Sequence, residues 1–180
     1  MTRRPIVLSV NGADHEVWVL PSETLLDVLH DDLGLADVRY GCGEGVCGTC
    51  TVLLDDEPVN GCLILAVQAA GRRLTTLRGL MGPGEALHPL QECFLRCGAS
   101  QCGFCTPGMV LTSLDLVRRR QGLGHGRPSR EEIRYALVGN LCRCTGYTKI
   151  LDAVEEYAGL AVSDTSAERA PGVPPGVTAP

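Results

Sequence analysis

Eight of the ten cysteines in this 180-residue chain stand in two groups of four: Cys42, Cys47, Cys50 and Cys62, then Cys102, Cys105, Cys142 and Cys144. Four thiolates are the ligand set of one iron-sulfur cluster, so a fold for this sequence has to gather each group around its own centre. The first group reads C-x4-C-x2-C-x11-C, which opens with the plant-type [2Fe-2S] spacing. The second reads C-x2-C-x36-C-x-C. Because the spacings differ, the halves are not copies of one repeat, and each site needs its own scaffold.

Disulfides and zinc are the rival uses of clustered cysteine. Ten cysteines in 180 residues fall below the density of a disulfide scaffold. Zinc ribbons usually pair two C-x2-C knuckles, and neither group does, so iron-sulfur is the favoured reading and zinc the main alternative. Charge and hydropathy narrow the partners. A net charge of -5 argues against nucleic acid, which demands clustered Lys and Arg. No apolar run approaches the roughly 20 residues of a membrane span. The opening Met-Thr-Arg-Arg-Pro lacks the features of a signal peptide, so a reducing cytoplasm is the expected compartment.

In the N-terminal part, Ile6–Val10 and Val17–Leu20 flank Asn11-Gly12, a hairpin signal. After Pro21, the stretch Ser22–Leu29 carries a capping residue and apolar positions at helical spacing, ending near Gly34. The glycine-rich loop 41–50 leads into the strand Thr51–Leu54 and a turn at Asp55-Asp56-Glu57-Pro58. Strand, strand, helix, cluster loop, strand is the order of a β-grasp ferredoxin-like domain. Its glycines permit the tight turns that bring three thiolates together and let backbone N–H groups near the sulfurs. Glu44 reads as a solvated loop carboxylate.

Residues 79–84, rich in glycine, mark a linker. Beyond it the periodicity is helical. Leu90, Cys93, Phe94 and Cys97 form one apolar face, which makes the two remaining cysteines core side chains. Thr106 and Pro107 read as the N-cap and first residue of a helix beside the second group of cysteines, and its positive end suits a negatively charged cluster. Arg118-Arg119-Arg120 reads as a solvated, dipole-matched helix end. Ser129 and Glu132 predict a capping box for a helix ending at Gly139-Asn140, and Ile150, Leu151, Val154, Tyr157, Ala158 and Ala161 share a face of the last one. The expected fold is therefore α+β: a ferredoxin-like domain over 1–80, a four-helix bundle over 81–162 and a disordered tail over 163–180.

With these motifs in place, the chain resembles the iron-sulfur subunit of the molybdenum hydroxylases, of the xanthine oxidase, carbon monoxide dehydrogenase and aldehyde oxidoreductase type. The carriers are Gly-Cys-Gly-Glu-Gly-Val-Cys-Gly-Thr-Cys at 41–50, Gln-Cys-Gly-Phe-Cys-Thr-Pro-Gly-Met at 101–109 and Gly-Asn-Leu-Cys-Arg-Cys-Thr-Gly-Tyr at 139–147, within a likeness spanning 5–160. The resemblance implies an electron-transfer subunit with two [2Fe-2S] clusters. It also implies a large subunit that carries a molybdopterin dinucleotide and performs substrate oxidation, a medium subunit with FAD, and a dimer of heterotrimers. Electrons would pass from molybdenum through the helical-domain cluster, then the ferredoxin-domain cluster, to the flavin. Gln101 and Cys144 would lie against the pterin.

Nothing in the sequence suits this chain to substrate chemistry of its own. His15, His30, His88 and His125 are scattered in turns and a surface helix and read as surface or capping residues. No G-x-G-x-x-G fingerprint occurs. A free-standing two-cluster ferredoxin-type carrier and a zinc-stabilised interaction module are the alternative functions. The substrate is not legible, since the resemblance assigns specificity to the large subunit.

Overall fold

Asn11 and Gly12 both adopt positive φ, 52° and 84°, the geometry of a hairpin turn whose twist matches its strands. They join β1 (Arg4–Val10) to β2 (Ala13–Val19) in antiparallel register, with Leu8, Val10, Val17 and Val19 turned inward. The computed structural model describes residues 2–163. After the hairpin, α1 (Leu25–Asp27) is capped by Thr24 through a reciprocal bond with Asp27. A π-helical turn, Val28–Asp32, prolongs it, so the helix stops just short of Gly34 as expected.

β3 (Thr51–Leu54) and β4 (Glu57–Asn60) form a second hairpin around Asp55 and Asp56, at φ 51° and 71°. The expected turn is therefore two residues long, and Glu57 and Pro58 belong to a strand. Pro58 is tolerated there because β4 lies at the edge of the sheet. A fifth strand unforeseen in the sequence, β5 (Arg73–Thr75), lies parallel to β1 and antiparallel to β3, and closes the order β2-β1-β5-β3-β4. β3 is buried on both faces: Val52 and Leu54 enter the sheet core, and Leu53 joins a second core made by the helices. That explains its unbroken apolar run.

The helical half contains α2 (Pro89–Arg96), α3 (Thr106–Gly122), α4 (Arg130–Ala136) and α5 (Thr148–Ser163). Phe94, Leu90, Met109 and Leu114 are buried at its centre, each worth about 1.5–3 kcal/mol of transfer free energy. Cys93 is a core side chain as expected. Cys97 is only half-buried: it closes α2, its thiol donates to Glu156 Oε2 at 2.9 Å, and burial with that carboxylate pushes it up to about 11. Thr106 is not the cap of α3. Cys105 takes that place, and the Thr106 hydroxyl bonds Ser100 Oγ at 3.0 Å.

The Ser129–Glu132 capping box forms, but α4 ends at Ala136, earlier than Gly139-Asn140. Arg118 and Arg119 of the basic run are exposed as expected; Arg119 pairs with Asp115 and Glu57, and the partly buried Arg120 with Glu132. The linker is also no loose tether. Leu77 and Leu80, on the short helical turn that runs into it, pack onto the helical core. His88 caps α2, accepting from Leu90 N–H at 3.2 Å, whereas His15 lies in β2 rather than in a turn. Among the described residues no helix is long and apolar enough to cross a membrane. Ser163 is the last residue of α5, and the rest of the expected tail lies outside the described residues.

Candidate metal centres

The loop carrying the first three cysteines turns through Gly43, Gly45 and Gly48, with φ of 72°, 74° and 65°. Those turns aim amides at sulfur. Cys42 Sγ accepts the N–H groups of Glu44, Val46 and Cys47 at 3.4, 3.3 and 3.4 Å, and these bonds hold its thiol down to about 6. Cys47 Sγ accepts the Cys42 N–H at 3.4 Å. Glu44 acts here through its backbone, and its residue is exposed as expected. Cys50 lies at the buried end, where burial pushes it up to about 12. Cys62, on a helical turn after β4, is drawn toward it by the Gly61 N–H bond to Cys50 O at 3.1 Å.

The second group is built between helices. Cys102 and Cys105 lie between α2 and α3, and Cys142 and Cys144 between α4 and α5. Cys144 Sγ lies 3.5 Å from Cys102 Sγ. The Phe104 amide holds the Cys102 thiol below the ordinary range. Burial pushes Cys105 up to about 12. Burial acts the same way on Cys142, but bonds from the Thr145 hydroxyl and nearby amides outweigh it and lower that thiol. The bond to Cys102 raises Cys144. Tyr147 fixes the loop: its hydroxyl accepts from Cys142 N–H at 3.0 Å and donates to Asn140 O at 2.7 Å.

Each group fits a [2Fe-2S] core, in which each of two irons takes two protein thiolates.

A seam joins the two centres. Leu141 N–H bonds Cys47 O at 2.9 Å, the buried Asn140 Nδ2 bonds Gly48 O at 3.1 Å, and Thr49 Oγ1 donates to Phe104 O at 3.0 Å. Arg39 Nη1 donates to Gly103 O. A Cβ on Gly108 would meet Gly48 O at 2.1 Å, and one on Gly48 would meet Gly139 O at 2.3 Å. Sequence reasoning passed over Arg39, Thr49 and Asn140 in this role. Their only signal was proximity to a cysteine motif. Gln101 is exposed beside Cys102, and Cys144 is exposed in the facing loop.

Gly108→Ala should lower the unfolding free energy by about 1–3 kcal/mol in urea, because backbone meets backbone and neither can yield. Gly122→Ala on the same helix, where a Cβ meets nothing within 4 Å, should be neutral or stabilising by up to about 1 kcal/mol. Equal effects of the two changes would contradict the close approach.

Comparison with known proteins agrees with this geometry. Residues 8–72 match the 2Fe-2S iron-sulfur cluster binding domain, and residues 76–155 match the [2Fe-2S] binding domain. The nicotinate dehydrogenase small FeS subunit of Eubacterium barkeri is 46% identical over 154 residues, covering 86% of this chain and 94% of that one. The aldehyde oxidoreductase iron-sulfur-binding subunit of Escherichia coli is 39% identical over 168 residues, 86% of this chain and 72% of that one. Among solved structures, quinoline 2-oxidoreductase from Pseudomonas putida superposes with a TM-score of 0.82 at 40% identity, covering 93% of this chain and 100% of the matched chain. The aldehyde oxidoreductase from Desulfovibrio desulfuricans gives 0.80 at 39% identity over 91% of this chain but only 18% of its own. The same unit thus occurs as a separate chain and inside a longer one. With two cluster-binding halves and relatives matched over nearly their whole length, the chain belongs to the iron-sulfur subunits of the molybdenum hydroxylase family, electron-transfer components that bind two [2Fe-2S] clusters.

Proposed function

We propose that Cys42, Cys47, Cys50 and Cys62 hold one cluster, that Cys102, Cys105, Cys142 and Cys144 hold the other, and that the chain relays electrons between two partner subunits. Each cluster, when bound, takes up and returns one electron. The chain supplies the thiolates, the N–H groups that stabilise their charge, and a fixed seam between the two centres. The observation that carries the reading is the bond from Leu141 N–H to Cys47 O: it joins the residue beside Cys142 to a cysteine of the other group. Each group also keeps an exposed cysteine, Cys42 in one and Cys102 and Cys144 in the other. That arrangement supports contact with an outside donor and an outside acceptor.

In this proposal electrons enter at the helical half, where Gln101 and Cys144 face the molybdopterin of a large subunit, and leave from the ferredoxin half to FAD on a medium subunit. Two such trios pair as a dimer of heterotrimers. The chain divides at residues 80 and 81, its helical half is a four-helix bundle extending to 162, and its ten free thiols suit a reducing cytoplasm. Relatives named for nicotinate, 6-hydroxypseudooxynicotine and aldehydes support an N-heterocycle or aldehyde as the class of substrate, which the large subunit would select.

In the assembled complex, Cys47→Ser should abolish the ferredoxin-half electron paramagnetic resonance signal alone and block flavin reduction by substrate, while the helical-half cluster still reduces. Flavin reduction at the original rate would overturn the relay. Gln101→Leu should leave iron content unchanged, since no ligand is removed. It should slow reduction of the clusters by substrate but not by a small artificial donor, and a pterin group left unpaired would weaken cofactor binding by about 1–3 kcal/mol. Unchanged substrate-driven reduction would refute the entry point at Gln101.

A further inference from the structure

We propose that Arg39 is a positioning residue through which the ferredoxin half sets the reduction potential of the cluster in the helical half. The proposal rests on Cys102 being a ligand of that cluster. Arg39 belongs to the segment before Cys42, yet its guanidinium crosses the seam and donates to Gly103 O, between Cys102 and Cys105. Two further contacts fix its direction. Nε donates to Ala36 O at 3.2 Å, and the guanidinium carbon sits 5.6 Å from the centroid of the Phe104 ring. Both of those hydrogen bonds end on carbonyl oxygens, so they leave the positive charge unneutralised.

The peptide that Arg39 grips is the one that serves the sulfur. Gly103 C=O and Phe104 N–H are the two ends of a single planar amide. Arg39 binds the oxygen end, and the N–H end belongs to the amide that holds the Cys102 thiol down. A cation on the carbonyl draws electron density toward oxygen and makes the N–H a stronger donor, as bonds in a chain reinforce one another. The next amide is treated alike: Thr49 Oγ1 donates to Phe104 O at 3.0 Å, and the far end of that amide is the N–H of Cys105. Two of the three peptides of the Cys102–Cys105 loop therefore take a donor from the other half of the molecule. Only Arg39 adds a full charge.

Adding one electron raises the negative charge of the site by one, and no ligand bond forms or breaks. Hydrogen bonds to the sulfurs and nearby positive charge favour the reduced form and raise the potential. Without Arg39 the helical-half cluster should become harder to reduce, and the ferredoxin-half cluster should hold its potential. The residue would thereby help to make the helical-half cluster a ready acceptor for the donor subunit.

The test is a redox titration with dithionite, followed by electron paramagnetic resonance on the purified complex, with iron content measured in parallel. The Cys47→Ser variant assigns the signals to the two halves. Arg39→Gln should lower the reduced-to-oxidised ratio of the helical-half cluster at fixed potential by about tenfold, the lower end of what an outer-shell partner of a metal is worth. That is roughly 59 mV for a one-electron couple. Arg39→Lys, which keeps the charge, should recover most of the shift. An unmoved midpoint, equal movement of both signals, or a Lys variant no better than Gln would overturn the proposal. So would a Gln variant without the helical-half iron, since Arg39 would then serve assembly. Absence of the second signal from the unaltered complex would instead overturn the ligand assignment on which the proposal rests.

Discussion

The buried bond from Asn140 Nδ2 to Gly48 O sits where three loops meet, and much of the molecule is arranged to let it form. Asn140 is only 4% exposed, so loss of its acceptor would strand a polar group away from water at a cost of about 1–3 kcal/mol. The bond requires the backbone at 48 to approach the backbone at 108 and 139 more closely than any side chain would allow. Two glycines meet that condition from opposite sides. Once they do, the loop bearing Cys47 and Cys50 is held against the loops bearing Cys102, Cys105 and Cys142. The distance between the two centres then becomes a property of packed backbone rather than of a hinge. The shared strand β3 reinforces this, with side chains in both cores.

Within that frame the sulfurs experience two kinds of surroundings. Cys42 is exposed and ringed by amides that lower its thiol to about 6, whereas Cys50 and Cys105 are desolvated and pushed up to about 12. Protonation of the buried thiols is favoured only in the metal-free chain. Binding a cluster must displace those protons, so loading is coupled to proton release. The amides already in place lessen the work of holding negative charge afterwards, because they are oriented by the fold and do not have to reorganise.

Much of the candidate site was legible from residue type and spacing. Spacing singled out the eight cysteines of the proposed centres, and Asn11-Gly12, Ser129 and Glu132 form the turn and capping box their types imply. What escaped notice was fixed by distant partners. β5 is three residues long and exists only through pairing with β1 and β3, so no local alternation announces it. Asn140 resembled an ordinary helix end because its partner stands 92 positions away. Arg39 went unnoticed because its acceptor lies 64 positions along. Thr106 carries the chemistry of a cap but its hydroxyl is engaged by Ser100, and tertiary contact overrode local preference.

The account depends above all on each group of four cysteines holding its own two-iron cluster within a single chain. Iron and acid-labile sulfide, counted per chain on the purified protein beside electron paramagnetic resonance of the dithionite-reduced sample, address that claim most directly. Two distinct [2Fe-2S] signals, with iron and sulfide in equal amounts and sufficient for both groups, are the predicted result. Half that iron with one signal, or zinc in place of iron, would contradict it.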